Sequence, residues 1–364
     1  PKTRYAVAAA TLLLATGLVL SQTMHAAEPV PVATTLSGPG TGSNSTVAPM
    51  SRSGMVYSLA FTPDSRWLYS GDDRGVITVW DANTATRVRV LGKNGNFVQA
   101  LSFSADGRYL LSGGSSMRPG TNALTGGEAT LWDVRIGKVL YSWKSSDFYI
   151  RSAVLSPDGK RAAFGGLNGK NNTSVVRIWD TKNPAKPKQV ASLLISPDAR
   201  REINPLAWSP NGNWLAVSYG PQTSLWNAAT GKKVRDFASG AGNIGFPEPV
   251  VFAPDNKTLA KGAWGGTLEI QDTVSGEVKQ RFVTKMFGFA MQAVRFSIDG
   301  ARLFSTNGMD LYQWNVATGE LLKKSERIGA ENLALASDET KFAGMAGNDL
   351  MLWRQPQTTK KESE

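Results

Sequence analysis

One phrase returns seven times along this chain, each time followed by a second landmark at a similar distance. Phe61-Thr62-Pro63-Asp64 precedes Trp80-Asp81, and Phe103-Ser104-Ala105-Asp106-Gly107 precedes Trp132-Asp133. Leu155-Ser156-Pro157-Asp158-Gly159 precedes Trp179-Asp180, and Trp208-Ser209-Pro210-Asn211-Gly212 precedes Trp226-Asn227. Phe252-Ala253-Pro254-Asp255 goes with Gln271-Asp272, Phe296-Ser297-Ile298-Asp299-Gly300 with Trp314-Asn315, and Ala336-Ser337-Asp338 with Trp353-Arg354. The second landmark stands at 80, 132, 179, 226, 271, 314 and 353, so successive copies lie 52, 47, 47, 45, 43 and 39 residues apart. A unit of that size cannot bury its hydrophobic face alone and has to stack on its neighbours.

The grammar inside a copy is that of short strands. In the first copy, residues 56–61, 67–70, 76–80 and 87–91 read as four strands. Clusters of Pro, Asp, Asn and Gly between them read as tight turns. Four antiparallel strands repeated at roughly 40–45 residues make one propeller blade per copy. The expected fold is therefore all-β: a seven-bladed propeller of four-stranded antiparallel blades over residues 54–354. Two residues before each aligned hydrophobe stand Leu59, Leu101, Ala153, Leu206, Val250, Val294 and Leu333, apolar in every copy, as a buried strand face requires. The positions one and three before are mostly small, among them Ala60, Ser102, Ala207, Ser58, Ala100 and Ser152, which lets the strands crowd an axis.

The last copy lacks a fourth strand, because the chain after Trp353 is polar and contains Pro356. An N-terminal segment would supply it and remove two free sheet edges at once. Residues 31–37 are the expected closing strand, residues 38–53 read as a flexible linker rich in Gly, Ser, Thr and Pro, and residues 355–364 as a disordered tail.

Composition removes several chemistries. The chain has no cysteine, hence no disulfide, thiolate metal site or cysteine nucleophile. Its single histidine, His25, lies outside the repeats, so the repeated body has no histidine triad or haem ligand. The formal charge of +11 is dispersed along the sequence. Without a basic block or recognition motif it favours acidic partners or anionic surfaces rather than nucleic acid.

The N-terminus reads as an address. Lys2 and Arg4 precede an apolar run over residues 5–20, then small and polar residues, the pattern of a secretory signal peptide. Sixteen residues are short for a membrane span of about 20. Cleavage after Ala26 or Ala27 is expected, although Met24 or His25 is a poor third residue back, and an uncleaved anchor remains the alternative. In either case residues 1–27 send the body out of the cytoplasm, in a bacterium to the periplasm or the cell exterior.

These residues resemble the WD-repeat β-propeller family. The resemblance spans roughly residues 54–354 and rests on the Ser-Pro-Asp-Gly turn, the glycine-rich second-to-third-strand loop and the terminal Trp-Asp. Three copies keep Trp-Asp, two have Trp-Asn, one has Trp-Arg and one keeps only the Asp. One departure is systematic: the Gly-His that opens many repeats of the family is absent, so the Asp-His-Ser-Trp hydrogen-bond network cannot form. Apolar packing of the tryptophans between blades is expected in its place. The resemblance implies an interaction platform without catalytic residues, metal or cofactor.

Candidate contact residues are those the repeat does not hold constant. Four residues before each aligned hydrophobe stand Tyr57, Gln99, Arg151, Asn204, Glu248, Gln292 and Glu331, all polar or amphipathic and differing between consecutive blades. In such a propeller they ring the top mouth of the channel. Wet strand starts explain the polarity equally well; the variety suits recognition of one partner. An insertion over residues 115–127, and longer loops at 167–173, 196–202 and 238–249, open at the same face. They carry or adjoin Arg118, Lys170, Arg200, Arg201, Lys285, Phe148, Tyr149, Phe246, Trp264, Phe287 and Phe289, the composition of interface anchors, or aromatics folded down over the channel.

The blander features have structural explanations. Asp64, Asp106, Asp158, Asp255 and Asp299 sit in hairpin turns, where aspartate accepts nearby backbone N–H groups. Gly71-Asp72-Asp73-Arg74-Gly75 and Gly347-Asn348-Asp349 lack the ligand spacing of a calcium loop. Gly113-Gly114 and Gly165-Gly166 read as loop glycines, with no helix behind them to cradle a phosphate.

The leading expectation is a non-catalytic scaffold in the cell envelope that binds a protein or peptide through the top face, touching membrane only through a retained anchor. The rivals are a quinoprotein-like or lactonase-like enzyme with Glu248, Glu331 and Asn204 around a metal, and a carbohydrate binder using Trp264.

Overall fold

A computed structural model describes residues 47–50, 55–117, 124–197, 203–237, 248–263, 266–284, 291–307, 310–325, 330–346 and 349–354. They form seven four-stranded antiparallel sheets. Six are simple meanders; the first comprises Val56–Phe61, Trp67–Asp72, Val76–Asp81 and Thr86–Lys93. The innermost strand of each blade adjoins that of the next, and Ala330–Leu335 of blade seven adjoins Val56–Phe61 of blade one, so the ring closes.

The closing strand is N-terminal, as the sequence suggests; the expected residues 31–37 lie outside the described residues, and the strand seen there is another. Val47–Met50, read from sequence as linker, pairs with Asp349–Arg354 in register Val47 to Trp353 and Met50 to Leu350. Pro49 tolerates this position because an outermost strand has a partner on one side alone and needs only alternate N–H groups in the ladder.

The hydrophobic core is not one body but seven, each a sandwich between adjacent blades. Leu68 and Trp80 of blade one meet Ala343, Leu350 and Leu352 of blade seven. Ile77 and Val79 on the opposite face of blade one meet Leu110 and Trp132 of blade two. The remaining five gaps follow the same plan. Second and third strands are buried on both faces, whereas the fourth strand of blade one keeps its first five residues exposed. Burial therefore peaks in the middle strands and falls off at the outer edge, while innermost strands such as Ala100–Phe103 are only partly buried.

Four landmark tryptophans keep a partner that the missing histidine seemed to forbid. The Nε1–H of Trp80 donates to Ser70 Oγ at 2.8 Å, and those of Trp132, Trp226 and Trp314 to Ser112, Ser224 and Ser305. Ser112 in turn donates to Asn94 Oδ1 at 3.1 Å. Apolar packing is thus joined by hydrogen bonding, with Asn94 accepting in one blade. In blade five Gln271 replaces the tryptophan and donates to Glu269, which also holds Arg281.

The glycine pairs are strand residues, not loop residues, in Tyr109–Met117 and Arg161–Asn168. A Cβ on Gly113 would stand 2.9 Å from the Cβ of Ala153 in blade three, and one on Gly165 2.7 Å from Ile203 Cγ2 in blade four. Neighbouring blades approach too closely there for any side chain.

Candidate functional site

In an antiparallel blade the start of the innermost strand, the second-to-third-strand loop and the end of the fourth strand share one face. Backbone bonds from Asp73 to Met55 and from Asn94 to Gly75 tie these parts together. This is the top face. The first-to-second hairpins occupy the other end and carry the recurrent turn aspartates. Ser104 Oγ donates to Asp106 Oδ1 at 2.6 Å, and the same oxygen accepts Arg108 N–H. The Ser104 hydroxyl, followed by the Arg108 amide, holds the Asp106 carboxyl below its ordinary pKa. These acids are consumed in turns, as expected from sequence.

The hairpins also bind blade to blade. The Ala105 amide donates to Pro157, Asn211 to the Asn256 side chain, and Asp338 to Ser65 Oγ. Arg161 donates to Gly212 and covers the Trp208 ring. The bottom face is a stitched ring on which the channel walls stand.

The channel encloses about 480 Å³ and is walled by the innermost strands of all seven blades. Of the seven predicted mouth residues, Tyr57, Gln99 and Gln292 line it. Tyr57 is half-buried, stacked on Phe97 with ring centroids 5.8 Å apart. Burial, then the charge of Asp73, pushes its phenol pKa up. Gln99 accepts the Ser115 amide, and Gln292 is exposed. Arg151 is partly exposed on Phe148–Leu155. Asn204 and Glu331 lie by their backbone in Ile203–Trp208 and Ala330–Leu335. Arg118, Arg201 and Trp264 lie outside the described residues, as do Arg200, Phe246, Lys285, Phe287 and Phe289.

Glu248 does not join the exposed rim. Its carboxylate meets Lys261 Nζ at 2.9 Å inside blade five. The same pairing takes from the metal-enzyme reading one of its three donors. Among the described residues no three His, Cys, Asp or Glu side chains come together as a metal group. The Asp72 carboxylate is likewise occupied, accepting the Arg74 and Val76 amides and the Arg74 guanidinium at 2.9 Å.

Two loop expectations change. The blade-two insertion is largely ladder: Tyr109–Met117 and Leu124–Asp133 stay paired out to Met117 and Leu124. Phe148 is core, packed with Trp143 and covered by Arg177 at 4.2 Å. Lys170 reaches Asp147 at 2.6 Å on the top face.

One channel residue escaped the sequence reading. Arg295 occupies the position one before the aligned hydrophobe, where the other copies carry Ala60, Ser102, Val154, Ala207, Val251 and Ala334. It lines the channel on the strand Ala293–Phe296. The signal was in the sequence: a lone arginine in a register of small and apolar residues.

Comparison with known proteins agrees with this architecture. The family model "WD domain, G-beta repeat" matches residues 45–81 and 85–118. The guanine nucleotide-binding protein subunit beta of Oryza sativa subsp. japonica is 23% identical over 317 residues, covering 83% of this chain and 80% of that protein. The WD repeat-containing protein slp1 of Schizosaccharomyces pombe is 25% identical, covering 78% of this chain and 54% of that protein. Among solved structures, the β-propeller domain of Myceliophteria thermophila Cps50 (Swd1) superposes with a TM-score of 0.68 at 18% identity, covering 85% of this chain and 99% of that one.

Proposed function

We propose, from the premise that this chain belongs to the WD-repeat β-propeller family, that it is a non-catalytic scaffold that captures a protein partner on its top face. One observation carries the reading. At a single register position, polar or amphipathic in every copy and different between consecutive blades, Tyr57, Gln99 and Gln292 line the channel, which supports this reading. Rigid strands hold contact groups without an ordering cost at binding, and variety around the ring gives a partner one orientation.

We place the partner in a cell-envelope complex, because residues 2–27 have the charge and hydropathy pattern of an export signal. N-terminal sequencing of the protein from its native host tests export: a mature start at residue 27 or 28 supports it. The scaffold reading is tested by quantitative affinity capture from native envelopes with the full chain and with Tyr57→Ala combined with Gln292→Glu. The expected result is at least tenfold weaker capture of a defined partner with unchanged melting. Equal capture by the variant overturns the top-face assignment.

A further inference from the structure

We infer that Arg295 makes the lower half of the channel a carboxylate receptor, filled by an acidic side chain or C-terminal carboxylate of the captured partner. The source of the carboxylate rests on the scaffold reading; the receptor itself does not.

The strand Ala293–Phe296 runs from the top rim downward, so Arg295 lies three residues, or about 10 Å, below Gln292. Its side chain is exposed to channel water and at the same time surrounded by the wall; that enclosure, removing bulk solvent, lowers its guanidinium pKa. The guanidinium still remains charged at neutral pH. A guanidinium has five N–H donors. One nitrogen donates to the carbonyl of the neighbouring Val294 at 3.2 Å, and among the described residues no carboxylate pairs with Arg295. Three arginines at the first-to-second hairpins are engaged differently: Arg108 pairs with Asp133, Arg161 with Gly212, and Arg302 with Glu339.

Among the described residues the wall supplies no counter-charge. Arg295 is the one charged residue among the described channel-lining residues, and the polar ones are hydroxyls and amides such as Tyr57, Ser102, Ser152 and Gln292. Of the two acids at the mouth register of the neighbouring blades, Glu248 is committed to Lys261, and Glu331 is placed by its backbone alone. A cation enclosed by the wall with no carboxylate partner among the described residues is expensive for the fold. The other copies show that alanine, serine or valine fits this register. A planar fork with free donors matches a carboxylate bidentately. About 480 Å³ admits an extended peptide end or side chain but not a folded element.

The test uses the full chain with ¹⁵N-labelled arginine, the Arg295 Nε–H resonance being identified by its loss in Arg295→Gln. Four probes are titrated: sodium acetate, a blocked glycine tetrapeptide with one internal glutamate, a glycine tetrapeptide with a free C-terminus, and a blocked glutamine counterpart. The expected result is a saturable shift with the carboxylates, none with the glutamine peptide, and thermal stabilisation by the same probes at least tenfold weaker in Arg295→Gln. Stronger binding of either peptide than of acetate assigns the source to a partner chain; equal binding assigns it to a free small carboxylate. No shift with any carboxylate, or an equal response in Arg295→Gln, overturns the receptor. Should Arg295→Gln fail to fold, Arg295→Lys identifies the resonance and the wild-type titration decides alone. Acetate binding without any captured partner would leave the receptor standing and sink the scaffold.

Discussion

Lys261 and Glu248 form an ion pair of 2.9 Å with side chains 0% and 4% exposed, between the second strand of blade five and the start of its first. Removing one partner from such a pair strands a charge, whereas replacing both with apolar groups of similar volume is close to neutral. Glu248→Ala should therefore cost about 3–5 kcal/mol, and Lys261→Met with Glu248→Leu should recover most of it. Urea midpoints at constant slope measure both. A single variant within 1 kcal/mol of wild type would return Glu248 to the list of surface contacts.

The chain Trp132–Ser112–Asn94 makes a second prediction. Ser112 Oγ accepts from Trp132 at 2.8 Å and donates to Asn94 at 3.1 Å, all buried. Ser112→Ala leaves a buried indole N–H without an acceptor, which costs about 1–3 kcal/mol. Trp132→Phe with Ser112→Ala removes the orphan donor, so the double variant should lose less than the sum of the two single losses. Strict additivity in denaturation would show that the hydrogen bonds contribute nothing beyond packing.

These cases mark what the sequence made legible. Blade number and register followed from the recurring turn and tryptophan, because hairpin chemistry and strand alternation are local and repeat with the chain. Glu248 was misread because polarity at a strand start looks the same whether the group faces water or a buried lysine one strand away. Arg295 is harder to read because it breaks a register that is small or apolar in the other six copies, and a single departure does not say which group it faces. The closing strand was misplaced because pairing to Asp349–Arg354 is set by the far end of the chain. The only local mark of 47–50 is that Val47, Ala48 and Met50 are apolar where the residues before them are Gly, Ser, Thr, Asn and Pro, and four residues interrupted by a proline are too short a strand pattern to stand out.

Closure gives the third prediction. Four residues of ladder, at about 1 kcal/mol per net hydrogen bond, amount to about 2–4 kcal/mol, or roughly 5 °C of melting temperature for a domain of this size. Truncation through residue 51 should lower the melting temperature by about that amount relative to truncation through residue 44. It should also raise association in light scattering, since the edge of Asp349–Arg354 becomes available. Equal melting of the two truncations would deny Val47–Met50 its closing role.

The fourth prediction concerns acid. Lys170 and then Ser145 hydrogen-bond the Asp147 carboxylate and hold its pKa down at about 2, against an ordinary 3.8. A group depressed in the folded state contributes stability above its unfolded pKa and loses it as pH falls through the folded value. The contribution should thus be complete above about pH 4 and gone near pH 2. It is small, because the Lys170 and Asp147 side chains are 77% and 29% exposed and water screens the pair. A ¹³C carboxyl titration should find the Asp147 midpoint near 2 in wild type. In Lys170→Met it should move upward toward 3.8, while the Asp106 midpoint, held by Ser104 in a hairpin at the opposite face, stays where it was. An Asp147 midpoint indifferent to Lys170 would mean that the top-face pair does not persist in solution, leaving Lys170 free for a partner's carboxylate.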